Sequence, residues 1–584
     1  MKKQILLLLA ALVCGVRTLL AVPAYPGRIV YTQPDGTKIV LERHGDEFGH
    51  WTTDAAGRTV RLHADGFFRE VTDADPDDVR RQAASRRMRT RQASVNRADG
   101  HIALGQKHFL VILVEFSDLS FTTSDDPQAA YARQLNEPGY SENGATGSAR
   151  DFYFDNSNGL FEPIFDVYGP VKLSKKYSYY GGNDSGGNDK NPEEAVIEGC
   201  KALDGEIDFT RYDNDGDGYV DMVFMYYAGY GEADSSDDNS IWPHMWELSG
   251  AGVNVSLDGV RLDRYACSNE IAGQGALQGR MAGIGTACHE FGHAMGLPDM
   301  YDTDYYTNGL AGALYSYSTM CSGSYNNEGR TPPYFNFEER IYLGWLTEND
   351  YREFPRAGTY TIPPINENVA YRTYTDMDGE YFIYENRTKS GWDRYIPAGG
   401  MVVYHADKSD RQVRIAYYST TARSLWENWE QANSINENGS HPCFYIVPAG
   451  QQGSLNTWYE SRIPFPYNNV NTYVPLSWNG VEGDVVFSRI AYAGGTVTVV
   501  VQASYDGLTA DTIADPGSYK AGDRFVFSLN EEADERPVSV SWLFDDEPVG
   551  ADSVILTSGA HTVEAVLTFA DGRKQTLTLE LDVE

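Results

Sequence analysis

The sequence predicts an α+β protein built from several units, and three observations support that fold class. Two nearly continuous apolar runs, 108–116 and 221–229, have the pattern of buried strands. The segments 192–203 and 283–295 have the spacing and flanking turn signals of helices. From about residue 351 onward helical periodicity fades, and short strand-like runs recur up to the C-terminus. The 584 residues exceed one ordinary domain, so we expect three or four domains.

The first 21 residues are typical of a secretory signal. Lys2 and Lys3 supply positive charge, residues 5–13 form an apolar stretch, and cleavage is expected after Ala21 or Ala24. We therefore expect a secreted protein, whether extracellular, on the cell surface or in the periplasm. No later stretch approaches the roughly 20 apolar residues that a membrane-spanning helix needs, so no membrane span is predicted.

Turn signals and changes in composition divide the chain into five segments. A small β-rich unit, with turns such as Asp35-Gly36, is followed by an arginine-rich run. That run is either a solvated face or a processing site for a trypsin-like protease. The last segment has the short alternating strands of an immunoglobulin-like or PKD-like sandwich. The predicted boundaries are 1–21 for the signal, 22–100 for the β-rich unit and basic linker, 101–347 for the unit with buried strands and helices, 348–503 for a second β-rich unit and 504–584 for the sandwich.

The formal net charge of −36 limits the classes of partner. Nucleic acids and anionic membrane surfaces are polyanions, so neither is expected to bind this chain. Five cysteines remain after the signal, so at least one is unpaired or bonded outside the chain. Cys288 and Cys321 are interpreted as small apolar core residues and not as parts of a disulfide framework.

His289 and His293 are the clearest candidates for metal ligands. A spacing of four residues places both imidazoles on one face of a helix, close enough to share a metal. Glu290 follows the first histidine, where its carboxylate can reach a water at that metal. A catalytic zinc has three protein ligands and one open position, so a third ligand must come from elsewhere in the chain.

The residues after His293 indicate where the third ligand comes from. Gly296 can adopt a left-handed conformation that ends the helix, and Pro298 prevents the helix from continuing. The chain then turns back and brings Asp299 to the metal, in the pattern HExxHxxGxxD. Asp302, three residues further on, is the rival third ligand.

The segment HEFGHAMGLPDMYD, residues 289–302, resembles the zinc segment of the metzincin peptidases. In particular it is similar to the M6 family of immune inhibitor A-like metalloproteases, in which an aspartate replaces the usual third histidine. The segment SYSTMCSGS, residues 316–324, resembles the Met-turn of that family, which would make Met320 the methionine beneath the zinc ligands. The resemblance covers about residues 100–500 and includes the further segments 149–161, 241–246, 337–346 and 380–407.

The resemblance implies a metzincin-type catalytic domain, with a twisted sheet and an active-site helix, at residues 101–347. It also implies an N-terminal propeptide within 22–100, which the segment HGDEFGHW at 44–51 resembles, and C-terminal β-sandwich domains. The expected activity is zinc-dependent hydrolysis of peptide bonds in proteins or peptides, by a monomer made as a zymogen. Glu290 would take a proton from the attacking water and pass it to the leaving amine.

The resemblance leaves the residue that stabilises the transition state open. Some metzincins have a tyrosine two residues after the Met-turn methionine. In this chain that position is Ser322. Tyr315, Tyr317 and Tyr325 therefore all stay candidates.

A propeptide must block the open zinc position, and the sequence excludes one type of blocking residue. Residues 22–106 contain no cysteine, which excludes a cysteine switch. An aspartate could substitute for the cysteine, and Asp46 is the candidate blocking residue.

Two alternatives remain open. A thermolysin-like site would take its third ligand from a helical glutamate well downstream, such as Glu338 or Glu339, although Gly296 and Pro298 favour the metzincin turn. The β-rich C-terminal third also allows a surface adhesin or binding protein with an inactive metal site. Retention of Glu290 favours the enzyme, because an inactive site tends to lose its base.

Residues 213–221, DNDGDGYVD, have the spacing of a calcium-binding loop. Carboxylates at alternate positions converge on a cation, and Gly218 allows the sharp turn. The twelfth position is Phe224 and not glutamate, so the usual bidentate closure is missing. An acidic surface turn without an ion is the alternative. The expected calcium ligands are Asp213, Asp215, Asp217, the backbone carbonyl of Tyr219, and Asp221.

Isolated histidines are weaker candidates for a second metal site. His244, and His405 together with Asp407, could supply ligands. Single histidines in such settings are more often core residues with satisfied hydrogen bonds, and we interpret these as such.

Overall fold

The structure is a computed structural model in which sheets predominate and helices are few, which confirms the predicted α+β class. Most of the predicted signal and the arginine-rich run lie outside the residues that it describes. The described residues are 20–46, 49–63, 65–71, 102–184, 187–235, 237–303, 313–355, 357–411, 426, 435–436, 438–450, 457–483, 485–503, 519–528, 539–550, 553–568 and 574–584.

The N-terminal β-rich unit is a five-stranded antiparallel sheet whose strands lie side by side in chain order. Its strands alternate apolar and polar residues because only one face is buried, around Ile29, Leu41, Val60 and Phe68. One further strand, β1, precedes this sheet but pairs elsewhere. The ranges are β1 Leu20–Ala21, β2 Arg28–Thr32, β3 Lys38–Asp46, β4 Gly49–Asp54, β5 Thr59–Leu62 and β6 Phe68–Glu70.

The second unit is centred on a six-stranded mixed sheet in the order β1-β10-β13-β9-β7-β8. Strands β13, β9, β7 and β8 run parallel, while β10 is antiparallel to β13, and β1 is antiparallel to β10 at the edge. The strands are β7 Gly105–Glu115, β8 Phe161–Lys172, β9 Val223–Tyr230, β10 His244–Glu247, β11 Val255–Leu257, β12 Val260–Leu262 and β13 Arg264–Ile271. The helices are α1 Pro127–Asn136, α2 Ala149–Asn156, α3 Tyr177–Tyr180, α4 Pro192–Ala202, α5 Gly285–Ala294 and α6 Phe337–Tyr342.

Strand β7 is apolar throughout its centre because helices cover both faces of the sheet. Phe109, Val111 and Leu113 point to one face, where they share a core with Phe291 of α5. Leu110, Ile112 and Val114 point to the other face and pack with residues of α4, including Val196. Helix α5 therefore lies on a rigid layer at the face of the sheet, and β1 and β10 form the edge nearby.

The C-terminal part contains four further sheets. The orders are β14-β20-β19, β15-β16-β17-β18, β21-β24 and β23-β22-β25-β26, and the last two sheets share one core. The strands are β14 Gly358–Ile362, β15 Tyr371–Tyr374, β16 Glu380–Arg387, β17 Gly400–Asp407, β18 Phe444–Val447, β19 Val485–Ala493, β20 Thr496–Ala503, β21 Arg524–Val526, β22 Ser539–Phe544, β23 Glu547–Val549, β24 Ser553–Ile555, β25 Gly559–Thr568 and β26 Lys574–Val583.

Arg387, at the end of β16, joins this part to the second unit. Its guanidinium is fully buried and pairs with Asp393 at 2.6 Å. It also donates to the backbone carbonyls of Tyr317 and Tyr334, each at 2.9 Å. A buried guanidinium is tolerated only when its donors are paired, so this network holds the loop around Tyr317 in one position.

The five cysteines after the predicted signal are all described, all buried and all free, so no disulfide forms among them. The sequence predicted at least one unpaired cysteine, and Cys288 and Cys321 pack in the main core as expected. Among the described residues, no helix combines the length and apolar character needed to cross a membrane.

Candidate active site

Helix α5 ends at Ala294, four residues before Pro298, and Gly296 permits the hydrogen bonds that close it. Gly296 has φ +104°, as the sequence predicted. The amide of Gly296 donates to the carbonyl of His293 at 2.9 Å, and the amide of Leu297 donates to that of Gly292 at 3.1 Å. This pair of bonds is the Schellman arrangement that closes a helix and reverses the chain.

The reversal brings Asp299 back to the two histidines. The Nε2 atoms of His289 and His293 are 2.9 Å apart, and each lies 3.2 Å from Oδ1 of Asp299. All three residues are at most 2% exposed. Ligand atoms about 2.0–2.1 Å from a tetrahedral zinc ion lie roughly 3.3 Å from one another, so this donor set fits Zn²⁺.

The backbone orients both imidazoles for that role. Nδ1 of His289 lies 2.8 Å from the carbonyl oxygen of Thr319, and Nδ1 of His293 lies 2.7 Å from that of Leu297. A carbonyl only accepts, so each Nδ1 carries the proton and each Nε2 lone pair faces the other and Asp299.

Met320 packs beneath the helix. A Cβ atom added to Gly292 would lie 2.7 Å from the Met320 sulfur, so the absence of a side chain at Gly292 allows this close approach. The backbone carbonyl of Met320 accepts a hydrogen bond from the amide of Met300, one residue after Asp299. Met320 therefore supports both the helix that carries the histidines and the turn that carries the aspartate.

Glu290 faces the same site and is completely buried. Burial raises the pKa of Glu290 well above its ordinary value, and the charge of Asp299 adds to this effect. The hydrogen bond from the Val22 amide acts in the opposite direction. The Val22 amide donates to Oε1 of Glu290 at 2.8 Å. The other carboxylate oxygen has no hydrogen-bond partner among the described residues. A carboxylate with a raised pKa can exchange a proton near neutral pH.

Residues 20–25 lie across the site as an added edge strand. Leu20 and Ala21 pair antiparallel with β10. Beyond them, the Trp242 indole donates to the carbonyl of Val22 at 3.1 Å, and the Tyr325 hydroxyl donates to that of Pro23 at 2.8 Å. An extended peptide held by backbone hydrogen bonds at a sheet edge is a common mode of peptide recognition.

In the structure, the three tyrosines that were candidates for stabilising the transition state have different surroundings. Tyr325 contacts residues 20–25 through Pro23, and burial, followed by the charges of Asp234 and Glu290, raises its pKa well above the ordinary value. The Tyr317 hydroxyl instead donates to the carbonyl of Ala398, in the C-terminal part, at 3.0 Å. Tyr315 has φ +51° and lies in the same loop as Tyr317.

The alternative metal ligands have other partners. The group of residues whose ligand atoms converge contains Asp299 and not Asp302, among the described residues. Glu338 accepts hydrogen bonds from Tyr351 and Lys408, at 2.8 and 2.7 Å. Glu339 accepts from Ser318 and from the amide of the helix-capping residue Asn336. These contacts do not support a thermolysin-like site.

The isolated histidines are satisfied core residues. His244 bonds the carbonyl of Trp242 at 2.6 Å and the Tyr265 hydroxyl at 2.8 Å. His405 bonds Glu380 at 2.9 Å, and Asp407 is paired with His441 at 2.6 Å. Neither set forms a metal-binding group within the described ranges.

In the acidic loop, Asp213, Asp215 and Asp221 converge, with ligand atoms within 4.8 Å of one another. Gly218 has φ +86°, so the turn there favours glycine. Burial, with the charges of Asp215 and Asp213, raises the pKa of Asp221 to about 6, against the hydrogen bonds from Asn214 that lower it. Asp217 accepts a hydrogen bond from the Tyr219 amide at 2.8 Å and is outside the converging group.

Comparison with known proteins agrees with this geometry. Residues 102–343 match the family described as Immune inhibitor A peptidase M6, catalytic domain. The chain is 25% identical to Immune inhibitor A of Bacillus thuringiensis subsp. alesti over 395 residues, which are 58% of this chain and 53% of that protein. It is 30% identical to Pre-pro-metalloprotease PrtV of Vibrio cholerae serotype O1 over 484 residues, 71% of this chain and 49% of that protein.

The chain spans about half the length of these two relatives. Among solved structures, wild-type OgpA from Akkermansia muciniphila aligns with 84% of this chain and 97% of that chain at 11% identity. Its TM-score of 0.22 is too low to establish a shared fold over that length.

Metal content should distinguish the two aspartates. We expect Asp299→Ala to lose most of its bound zinc on dialysis, because loss of a ligand should weaken binding by at least about 100-fold. Asp302→Ala should keep about one zinc per chain. Zinc can be measured by mass spectrometry of purified protein, with thermal unfolding as a check on folding. The reverse result would make Asp302 the third ligand.

Proposed function

Since residues 102–343 are an M6-family peptidase catalytic domain, we propose that the chain is a zinc endopeptidase. It would be secreted as a zymogen and hydrolyse peptide bonds in proteins or peptides. The observation that carries this proposal is the buried convergence of His289, His293 and Asp299 beside Glu290. The signal-like N-terminus and the name of the relative Pre-pro-metalloprotease PrtV support secretion with a leader and a propeptide.

The proposed mechanism assigns a role to each residue of the site. His289, His293 and Asp299 would hold the zinc, which when bound supplies Lewis-acid polarisation of the scissile carbonyl and of water. Glu290 would take a proton from the attacking water and deliver it to the leaving amine. The Val22 amide, 2.8 Å from Glu290, lies where that leaving nitrogen of a substrate would be. Tyr325 would hold a substrate carbonyl, as it holds that of Pro23.

Residues 20–25 also explain how the precursor could be inactive. They occupy the place of a substrate, with the bond between Ala21 and Val22 beside Glu290. Cleavage of the signal after Ala21 would make Val22 the N-terminus, and its ammonium group would then form an ion pair with Glu290. We therefore propose that this segment blocks the site and that the sheet formed by β2–β6 is part of a propeptide. Asp46, the residue proposed from sequence, lies in β3 opposite Gly49.

We also propose that calcium binds the acidic loop. The support is the convergence of three carboxylates and a buried Asp213 oxygen that has no hydrogen-bond partner among the described residues. Oxygen ligands of this kind suit Ca²⁺, and Tyr219 would add its carbonyl. The loop borders β7 and β9 of the central sheet, so an ion there would stabilise the catalytic domain without taking part in the reaction.

The base is the first test of the enzyme. Glu290→Gln keeps the size of the side chain but removes the base, so we expect casein cleavage to fall by at least about 100-fold with zinc retained. Initial rates on labelled casein, with zinc content from the same samples, measure this. Equal activity of wild type and variant would instead favour a surface adhesin or binding protein with an inactive metal site.

The blocking segment can be tested by expelling it. Ala24 is buried against Ala233 and Trp242, so Ala24→Asp places a carboxylate in an apolar contact. We expect the intact Ala24→Asp precursor to cleave casein at least about 10-fold faster than the wild-type precursor, since 1.4 kcal/mol corresponds to a factor of ten. Initial rates are measured while mass spectrometry shows the N-terminus still attached.

Val30→Asp is the matched control, because Val30 is exposed on β2, which follows this segment, and its substitution should leave the precursor latent. Activation by Asp46→Ala, with Ala24→Asp still latent, would make Asp46 the blocking residue.

Calcium should raise the thermal stability of the protein. Binding to the folded state alone adds about 2.7 kcal/mol when free calcium is about 100 times Kd, so Tm should rise by several degrees. Asp215→Ala should abolish that rise with little effect in calcium-free buffer, because Asp215 is exposed. Asp204→Ala, on an exposed turn nearby, should respond like wild type. Scanning calorimetry with EGTA and then calcium would show no difference if the loop binds nothing.

A further inference from the structure

A buried arginine, Arg43, joins the N-terminal sheet to the catalytic domain, separately from the contact of Val22 with Glu290. Arg43 of β3 donates to Glu232 at 2.7 Å, to Asp238 at 2.9 Å and to the backbone carbonyl of Ser235 at 2.8 Å. Its guanidinium carbon lies 5.7 Å from the ring centre of Trp242. The side chains of Arg43 and Glu232 are 2% and 0% exposed.

The N-terminal unit fills this pocket with a second side chain. Nε2 of His50 lies 2.9 Å from the same Glu232 oxygen, and its ring stacks on Trp242 with 4.7 Å between centres. From the catalytic domain itself, the amide of the Asn183 side chain donates to Glu232 at 2.8 Å. Two basic side chains of the propeptide unit thus converge on one carboxylate and one indole.

Without those two residues the pocket is acidic. Asp189 is half-buried beside it and accepts a hydrogen bond from the backbone amide of Trp242 at 2.8 Å. Burial, and then the charge of Glu232, raises the pKa of Asp189 well above its ordinary value. One oxygen of Asp189 and one of Glu232 have no hydrogen-bond partner among the described residues. A buried carboxyl group is either protonated or compensated by a cation, and in this structure Arg43 and His50 lie against the buried carboxylate of Glu232.

The pocket adjoins the catalytic cleft through Trp242. The indole N–H holds the carbonyl of Val22, and the amide of Val22 contacts Glu290. Trp242 therefore contacts both the Arg43 guanidinium and Val22, the residue that follows the peptide bond beside Glu290. A substrate bound in the same way as residues 20–25 would place the residues on the leaving-group side of its scissile bond at the mouth of this pocket.

We propose that the Arg43 pocket, formed by Glu232, Asp238, the Ser235 carbonyl and Trp242, is a specificity site for an arginine of the substrate on the leaving-group side of the scissile bond. Arg43 occupies it in the precursor, and the site becomes available when the propeptide leaves. This inference rests on the proposed peptidase function. Arginine fits better than lysine, because a planar guanidinium bonds several acceptors at once and stacks on an indole.

The test uses enzyme activated from the full chain, with removal of the propeptide verified by mass spectrometry. Fluorogenic peptides carry either arginine or its neutral isostere citrulline at each of the first three positions after the cleaved bond. At one position we expect arginine to raise kcat/KM at least 10-fold over citrulline. Glu232→Gln should lower that ratio at least several-fold, because it neutralises the fully buried carboxylate that pairs with the guanidinium, whereas the remaining partner Asp238 is 40% exposed and its charge is screened by water.

Controls separate a specificity role from a structural one. Glu206→Gln, an exposed glutamate outside the site, should keep the wild-type ratio. Asp238→Asn, at the rim of the pocket, should lower the ratio partly and serves if Glu232→Gln fails to fold. A ratio near one at every position, or a ratio that Glu232→Gln and Asp238→Asn leave unchanged, overturns the proposal while casein cleavage persists. Absence of all cleavage removes the proposed function, and this inference with it.

Discussion

The structure depends on one constraint, which is that two imidazoles and a carboxylate converge in a dry site. With Nε2 and Oδ1 atoms at 2.9 to 3.2 Å, three electron-rich atoms share a space that water cannot screen. A cation bound among these atoms would compensate their mutual repulsion. The backbone carbonyls of Thr319 and Leu297 bind the Nδ1 atoms of the two histidines, so that the Nε2 lone pairs point into the site. The network of Arg387 holds the loop before Thr319 against the C-terminal part.

Sequence reasoning succeeded where the determining signal is local. The strand predicted at 108–116 is β7, Gly105–Glu115, and the helix predicted at 283–295 is α5, Gly285–Ala294. Their apolar patterns follow directly from which faces are covered. The end of the helix was also local, because Gly296 and Pro298 act on the residues beside them. The position of Asp299 relative to the histidines follows from that turn, within eleven residues of chain.

The residues that the sequence could not supply are joined by distant contacts. Val22 meets Glu290 across 268 positions, Tyr325 meets Pro23 across 302, and Arg43 meets Glu232 across 189. No periodicity or spacing records such pairs, because their members are more than 180 positions apart in the chain. The resemblance of HGDEFGHW to the propeptide of the M6 family indicated this strand pair, but Arg43 and His50 make the contacts with Glu232, whereas the sequence pointed to Asp46.

The same constraint then operates twice along one cleft. At the two histidines, buried ligand atoms favour a bound metal cation. At Glu232, a buried carboxylate favours an organic cation such as a guanidinium. In the precursor that we propose, the N-terminal unit covers both the base and the Glu232 pocket, through Val22 at Glu290 and Arg43 at Glu232, on either side of Trp242. Departure of the unit would uncover the base and remove the cation from the pocket in one step. The groups that hold the proposed propeptide in place would then also select the substrate that replaces it.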